Sequence, residues 1–93
     1  MTDSDALHGR IRALVRRVAG PSRAPADSGP DTPLTEGGFW LDSVELLEVV
    51  VACESEFDLT FDASADLTGR AFETLGTLTE LIRAKRARAG RTL

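Results

Sequence analysis

The chain has 93 residues, one cysteine and a formal net charge of −4, which allows a single domain with a thin core and leaves little room for an enclosed active site. The lone Cys53 excludes an internal disulfide framework and a cysteine-based metal cluster. No apolar run approaches the ~20 residues that cross a bilayer, and the acidic start Met1–Asp5 lacks the order of a signal peptide, so we expect a cytoplasmic protein without membrane attachment.

The first predicted element is a helix from about Ser4 to Ala19. Gly20 and Pro21 form a strong stop signal directly after it. Its arginines fall on other faces than its apolar residues. The apolar residues that share one face at helical spacing are Leu7, Ile11, Leu14, Val15 and Val18.

A long loop is predicted from Gly20 to Leu41, because all four prolines of the chain lie in it. We expect the part over 20–33 to be flexible. The residues expected to tether the end of the loop to the core are Leu34, Phe39, Trp40 and Leu41.

The second predicted helix, Ser43–Phe57, has the clearest signals. Asp42 followed three residues later by Glu45 matches a capping box. A run of three valines would also suit a strand, but the flanking helical periodicity argues against that. The inward apolar stripe is Leu46, Val49, Val50, Cys53 and Phe57, and a second stripe beside it is Val44, Leu47 and Val51.

The last third of the chain predicts a short helix or turn and then a longer helix. The short element is placed at about Ser64–Ala71, with Leu67 and Phe72 pointing inward. Thr74 can cap a helix over Leu75–Arg88, which Gly90 ends. The whole chain, 1–93, is therefore predicted to be one all-α domain with three main helices, one short helix and a long first loop, ordered over about 4–88 with flexible ends.

The start of the second helix resembles the attachment motif of acyl carrier proteins. The segment Asp42-Ser43-Val44-Glu45-Leu46-Leu47-Glu48-Val49-Val50 matches a motif that opens with D-S-L, with Val44 in place of the leucine. The resemblance covers about Leu34 to Ile82 and includes Phe57-Asp58, the alternating Leu59 and Phe61, and Leu75–Ile82. Two departures are Trp40-Leu41, where the family often has Gly-Leu, and Thr79, where it has an apolar core residue.

This resemblance implies a four-helix acyl-carrier-like bundle with a cofactor on a serine. Ser43 would bear a covalent 4'-phosphopantetheine arm, with Asp42 beside it in the cofactor site. A phosphodiester at a helix N-terminus is favoured by free amides and the helix dipole. The implied function is to hold acyl intermediates as thioesters in polyketide or other specialised-metabolite biosynthesis, without catalysis by the domain itself. Fatty-acid biosynthesis is a further pathway that uses such carriers. The alternatives are a peptidyl or aminoacyl carrier and an armless helical adaptor.

Ser43 has two other interpretations. It could be only part of a helix cap, as most Asp-Ser pairs before helices are. It could also be the nucleophile of a small hydrolase, but no G-x-S-x-G elbow surrounds it and the only histidine, His8, lies far off in sequence. No metal-ligand spacing is present either. The surrounding pattern favours the attachment site.

The charge pattern predicts a docking surface on the second helix. No Lys or Arg occurs between Arg23 and Arg70, so the acidic centre should repel nucleic acid and attract basic protein surfaces. A plain solvated face is the alternative. The expected partners are a phosphopantetheinyl transferase and a ketosynthase, acyltransferase, ligase or thioesterase, with the protein itself a monomer. The predicted docking residues are Val44, Glu45, Glu48, Val51 and Glu54.

For four further side chains and the basic tail, the sequence predicts a structural role or a minor one. Cys53 lies on the inward stripe and should be an inert thiol. His8 should be solvated. Leu47 and Leu78 could line a slot for an acyl chain, which is implied by the resemblance. The basic tail Arg83–Arg91 suits a helix C-terminus better than nucleic acid.

Overall fold

The part of the chain that the structure describes forms three helices. A computed structural model describes residues 3–25, 27–62 and 70–90. The helices are α1 (Asp3–Ala19), α2 (Ser43–Phe57) and α3 (Leu75–Gly90). These described ranges contain no β-strand, which confirms the all-helical class. The predicted short helix at 64–71 falls almost wholly outside the described residues, so a fourth helix stays a prediction.

Helix α1 packs against both α2 and α3. The predicted apolar face is confirmed, because Leu7, Ile11, Leu14 and Val15 are buried and Val18 is half-buried. Gly20 follows the helix with a φ of 86°, and its N–H donates to the Arg16 carbonyl at 2.9 Å. A left-handed residue of this kind ends a helix at little steric cost only when it is glycine.

Helix α2 begins and ends at the predicted residues. Asp42 is its N-cap, and both halves of the capping box are present. At the other end Asp58 adopts a left-handed conformation and its N–H donates to the Glu54 carbonyl. The inward stripe of Val49, Val50, Cys53 and Phe57 is buried, while Leu46 packs against the core from its edge.

Helix α3 begins where Thr74 caps it and continues two residues past the predicted end at Arg88. The Thr74 hydroxyl accepts from the Thr77 N–H at 3.1 Å, and the Thr77 hydroxyl accepts from the Thr74 N–H at 2.9 Å. Because these bonds satisfy amides at the helix start, the predicted cap is confirmed. The buried side chains of the helix include Leu75, Leu78 and Ile82.

The first loop is held against the start of α3. The Pro30 carbonyl accepts from the Gly76 N–H at 2.8 Å, and the Thr32 carbonyl accepts from the Leu75 N–H at 3.0 Å. A Cβ on Gly76 would lie 2.8 Å from the Pro30 oxygen, so only glycine permits this approach. The loop therefore satisfies helix amides that would otherwise lack partners. Flexibility of 20–33 stays a prediction, and such motion would have to break these bonds.

Trp40 does not tether the loop, which corrects one expectation. Its side chain is 57% exposed, whereas Leu34, Phe39 and Leu41 are buried as predicted. The reason is backbone conformation, because Trp40 has a φ of 57°. Both of its chain neighbours are buried, and this left-handed residue between them carries its indole outward.

His8 and Thr79 correct a second expectation. His8 is half-buried rather than solvated, and its Nδ1 lies 3.3 Å from the Thr79 hydroxyl. Thr79 is buried at a core position, and its hydroxyl donates to the Leu75 carbonyl at 2.8 Å. A satisfied hydroxyl costs little on burial, so the core accepts the polar residue.

Candidate functional site

Ser43 lies exposed at the first position of α2. The Asp42 carboxylate accepts from the Glu45 N–H at 2.8 Å, and the first intrahelical bond runs from the Leu46 N–H to the Asp42 carbonyl at 2.9 Å. The amides of Ser43 and Val44 precede that bond and have no helical partner. The serine oxygen therefore stands in water beside amides and a helix dipole that favour an anion.

The segment before Ser43 is fixed by a turn and two buried side chains. Phe39 donates its N–H to the Pro33 carbonyl at 3.0 Å, and Leu41 donates to the Leu34 carbonyl at 3.0 Å. Both Phe39 and Leu41 are buried in the core. This anchoring holds the start of α2 in place while the Ser43 side chain stays exposed.

Arg23 contributes a charge to the site that sequence reasoning did not assign. Its guanidinium pairs with both carboxylate oxygens of Glu45, with Nη1 2.8 Å from Oε1. The same Nη1 donates to the Trp40 carbonyl at 3.3 Å. Arg23 lies in the loop after α1, 22 residues from Glu45, and no local pattern connects the two.

This ion pair lowers the pKa of Glu45 to about 2, and the Asp42 N–H adds to the effect by donating to the same carboxylate. The pKa of Arg23 is raised by the same partner. Glu45 is therefore ionised and its charge is offset by Arg23. A phosphate on Ser43 would meet less repulsion from this first-turn carboxylate than the sequence suggests.

The family comparison agrees with this geometry. The family model described as a phosphopantetheine attachment site matches residues 9–84, which is most of the chain. The chain belongs to this phosphopantetheine attachment site family. No curated protein and no solved structure matches it.

The cofactor of a phosphopantetheine attachment domain is covalently bound 4'-phosphopantetheine, and the residues at the start of α2 fit it. The group needs an exposed hydroxyl for the phosphodiester bond and a place for one negative charge. Ser43 offers the hydroxyl, and the free amides at the N-terminus of α2 offer the place for the charge. Among the described residues, no cluster of side chains could hold a metal ion.

The outer face of α2 in this attachment domain has exposed apolar side chains beside the exposed acid Glu48. Val44, Leu47 and Val51 are 65%, 56% and 64% exposed. They border a shallow depression together with Glu48, Ala52 and Ser55. Glu48 is exposed and makes no ion pair with any described residue.

The other two predicted docking acids make contacts within the chain. Glu45 pairs with Arg23, as described above, and Glu54 accepts from the Phe61 N–H at 3.0 Å. Both are half-buried. A partner that docks on Glu45 or Glu54 would have to share or replace these contacts. Glu48 can pair with a partner without breaking an ion pair to any described residue.

Of the remaining predicted residues, Cys53 and Leu78 are buried away from this exposed face, whereas Leu47 lies on it. Cys53 is buried, which confirms its place on the inward stripe, and burial raises the pKa of its thiol to about 12, so we expect an unreactive side chain. Leu78 is fully buried while Leu47 is exposed, so the two predicted slot residues lie in different environments. No helix of the described chain is long and apolar enough to span a membrane.

The Arg23–Glu45 pair predicts a pH dependence of stability. The folded pKa of Glu45 is about 2 against an ordinary 4.5, so its contribution is complete above about pH 4.5 and is lost as the pH falls towards about 2. Arg23→Gln removes the partner and should weaken this acid dependence. Urea unfolding of both forms across that pH range measures it. Parallel stability curves for the two proteins would contradict the assignment.

Proposed function

We propose that this protein is a carrier that holds acyl intermediates as thioesters on a 4'-phosphopantetheine arm attached to Ser43. The observation that supports this most is the exposed serine at the N-terminus of α2, in a chain that belongs to the attachment family. Had Ser43 been buried, or α2 absent, no transferase could reach the hydroxyl.

The chain's own residues would bind and position rather than catalyse. The Ser43 oxygen would form the phosphodiester bond while the pyrophosphate bond of coenzyme A breaks and the nucleotide leaves. The base for this step would come from the transferase, because the Asp42 carboxylate is engaged with the Glu45 N–H. The capping box and Arg23 hold the helix start in position for the transfer.

Partner enzymes would recognise the exposed face of α2. Such an enzyme needs a basic group for Glu48 and apolar contacts for Val44 and Val51. Each partner must release the carrier again, so the contact should be weak and brief. Small, partly polar interfaces have this character.

The same proposal includes the cargo, the oligomeric state and the location. The cargo is an acyl group of polyketide or other specialised biosynthesis, and the protein is a monomer in the cytoplasm. A peptidyl or aminoacyl cargo is the closest alternative. An armless adaptor would share the fold but leave Ser43 unmodified.

Intact mass spectrometry tests the carrier function directly. The purified apo protein is incubated with coenzyme A and a promiscuous phosphopantetheinyl transferase. A carrier gains the mass of one phosphopantetheine group, and peptide mapping places it on Ser43. An adaptor keeps its original mass, and a hydrolase would instead cleave model esters without any transferase.

The docking role of α2 gives a second prediction. Glu48→Lys should lower kcat/KM for loading about tenfold at low salt, because the charge reversal meets a basic partner surface. The control is Glu80→Lys, the same charge change at an exposed position on α3, where it also breaks an ion pair with Arg83. The decrease in kcat/KM for loading should be much smaller in Glu80→Lys. Equal rates for wild type and Glu48→Lys at low salt would remove Glu48 from the docking surface.

A further inference from the structure

Trp40 combines an exposed indole with a strained backbone. Its φ of 57° lies in the left-handed region, which is sterically unfavourable for a residue with a Cβ. Two hydrogen bonds and two buried neighbouring residues hold this backbone conformation. The Trp40 N–H donates to the Thr35 carbonyl at 2.9 Å, its carbonyl accepts from Arg23, and its neighbours Phe39 and Leu41 are buried.

The indole contributes little to the fold at this position. It is 57% exposed, so most of its apolar surface remains in water. Glycine would adopt the same backbone conformation without strain. A bulky residue that strains the backbone and stays exposed is therefore a candidate for contact with another molecule.

The position of Trp40 identifies where that molecule would sit. Trp40 precedes Ser43 by three residues, and the exposed Val44 directly follows Ser43. The apolar side chains of Trp40 and Val44 therefore lie on either side of the attachment serine along the chain. A transferase must bring its active site to the Ser43 oxygen and will cover residues within about one helical turn of it. Enzymes that act at the far end of the arm have no such requirement.

We propose that Trp40 is a specificity-determining contact for the phosphopantetheinyl transferase that modifies this chain. The inference rests on the proposed attachment at Ser43. The complementary transferase surface is an apolar pocket for the indole with Lys or Arg at its rim. Asp42 and Glu48 are exposed acids that follow Trp40 in the chain, and Arg23, which donates to the Trp40 carbonyl, is already paired with Glu45.

Steady-state loading of three variants tests the contact. Trp40→Gly and Trp40→Ala should both raise KM for the apo protein about tenfold, with kcat changed by less than about twofold. Trp40→Phe should recover part of the loss. Glycine relieves the strained φ and alanine keeps it, so an equal loss in both assigns the effect to the indole. Trp40→Gly should also unfold at the same temperature as wild type or higher, which excludes a folding defect.

Fluorine NMR gives a readout that a structural role would not change. Trp40 is the sole tryptophan, so labelling with 5-fluorotryptophan yields one resonance. Unlabelled transferase should shift or broaden it in the apo protein. A resonance that instead moves only when the arm is attached would place the indole on the arm and overturn the proposal.

The kinetic outcomes separate two kinds of failure. If wild-type protein gains no arm, the attachment at Ser43 is wrong and so is this inference. If wild type is loaded and all three variants have its KM, the attachment stands and only the role of Trp40 is wrong. A response of the resonance to a second copy of the unlabelled carrier, in place of transferase, would also overturn the proposal.

Discussion

Replacing Ser43 by alanine is expected to abolish attachment of the phosphopantetheine arm. The phosphodiester bond needs an oxygen nucleophile, and alanine provides none. The fold should be unaffected, because Ser43 is exposed and the N-cap bonds come from Asp42 and Glu45. Intact mass after incubation with coenzyme A and a promiscuous transferase should show full loading of wild type and none of the variant.

Ser55→Ala is the matched control for this experiment. Ser55 is also an exposed hydroxyl on α2, but it lies near the C-terminal end of the helix. Its variant should still gain one complete phosphopantetheine group and unfold at the same temperature, although Ser55 borders the depression on the outer face of α2. Loading of Ser43→Ala, or loss of loading in Ser55→Ala, would show that the arm is attached elsewhere.

Local signals explain why much of the fold could be predicted. The bounds of α2 follow from a capping box at Asp42 and Glu45 and from an apolar stripe that ends at Phe57. The start of α3 follows from the hydroxyl of Thr74. These interactions join residues a few positions apart, so the sequence alone contains them.

Contacts between distant segments could not be predicted. The Arg23–Glu45 pair joins residues 22 apart, and the contact of His8 with Thr79 joins residues 71 apart. Each depends on how the helices pack, which no short motif encodes. The same limit explains the error at Trp40, whose outward direction depends on a backbone φ rather than on its apolar character.

At the candidate site, too, the local features could be predicted from the sequence and the long-range contacts could not. An exposed Ser43 at a helix start was predictable because the cap and the helix fix it locally. The acidic face was predicted from charge alone, which could not separate the unpaired Glu48 from two acids with partners inside the chain. Charge counting finds an acidic surface, but only the three-dimensional contacts single out Glu48 as the acid that we propose for docking.

Gly38→Ala is expected to destabilise the protein by about 3 kcal/mol, the upper part of the usual range for overpacking. A Cβ at Gly38 would lie 2.0 Å from the Pro33 carbonyl oxygen and 2.8 Å from its carbon. Backbone atoms cannot turn aside as a side chain can, so the turn itself must open. The Pro33 oxygen also accepts from the Phe39 N–H, and that bond should be lost with it.

The effect should extend to the attachment site. The turn at Gly38 positions Phe39 and Leu41, the two buried residues that lead into α2. A domain of this size has only a modest stability, so a loss of this magnitude is a large fraction of the total. Urea unfolding measures the loss, and kcat/KM for loading should fall as the start of α2 loosens.

Two control variants distinguish the effect of steric crowding at Gly38 from the general effect of replacing a glycine by alanine. Gly37→Ala should cost roughly 1–2 kcal/mol, because its φ of 91° is left-handed but its nearest contact would be 3.8 Å away. Gly9→Ala should stabilise by about 0.5–1 kcal/mol, because Gly9 lies inside α1 with nothing within 4 Å of the added Cβ. The order of stability should be Gly9→Ala, wild type, Gly37→Ala and Gly38→Ala. If Gly38→Ala matched wild type, Pro33 could not approach Gly38 so closely, and the turn before Ser43 would have another shape.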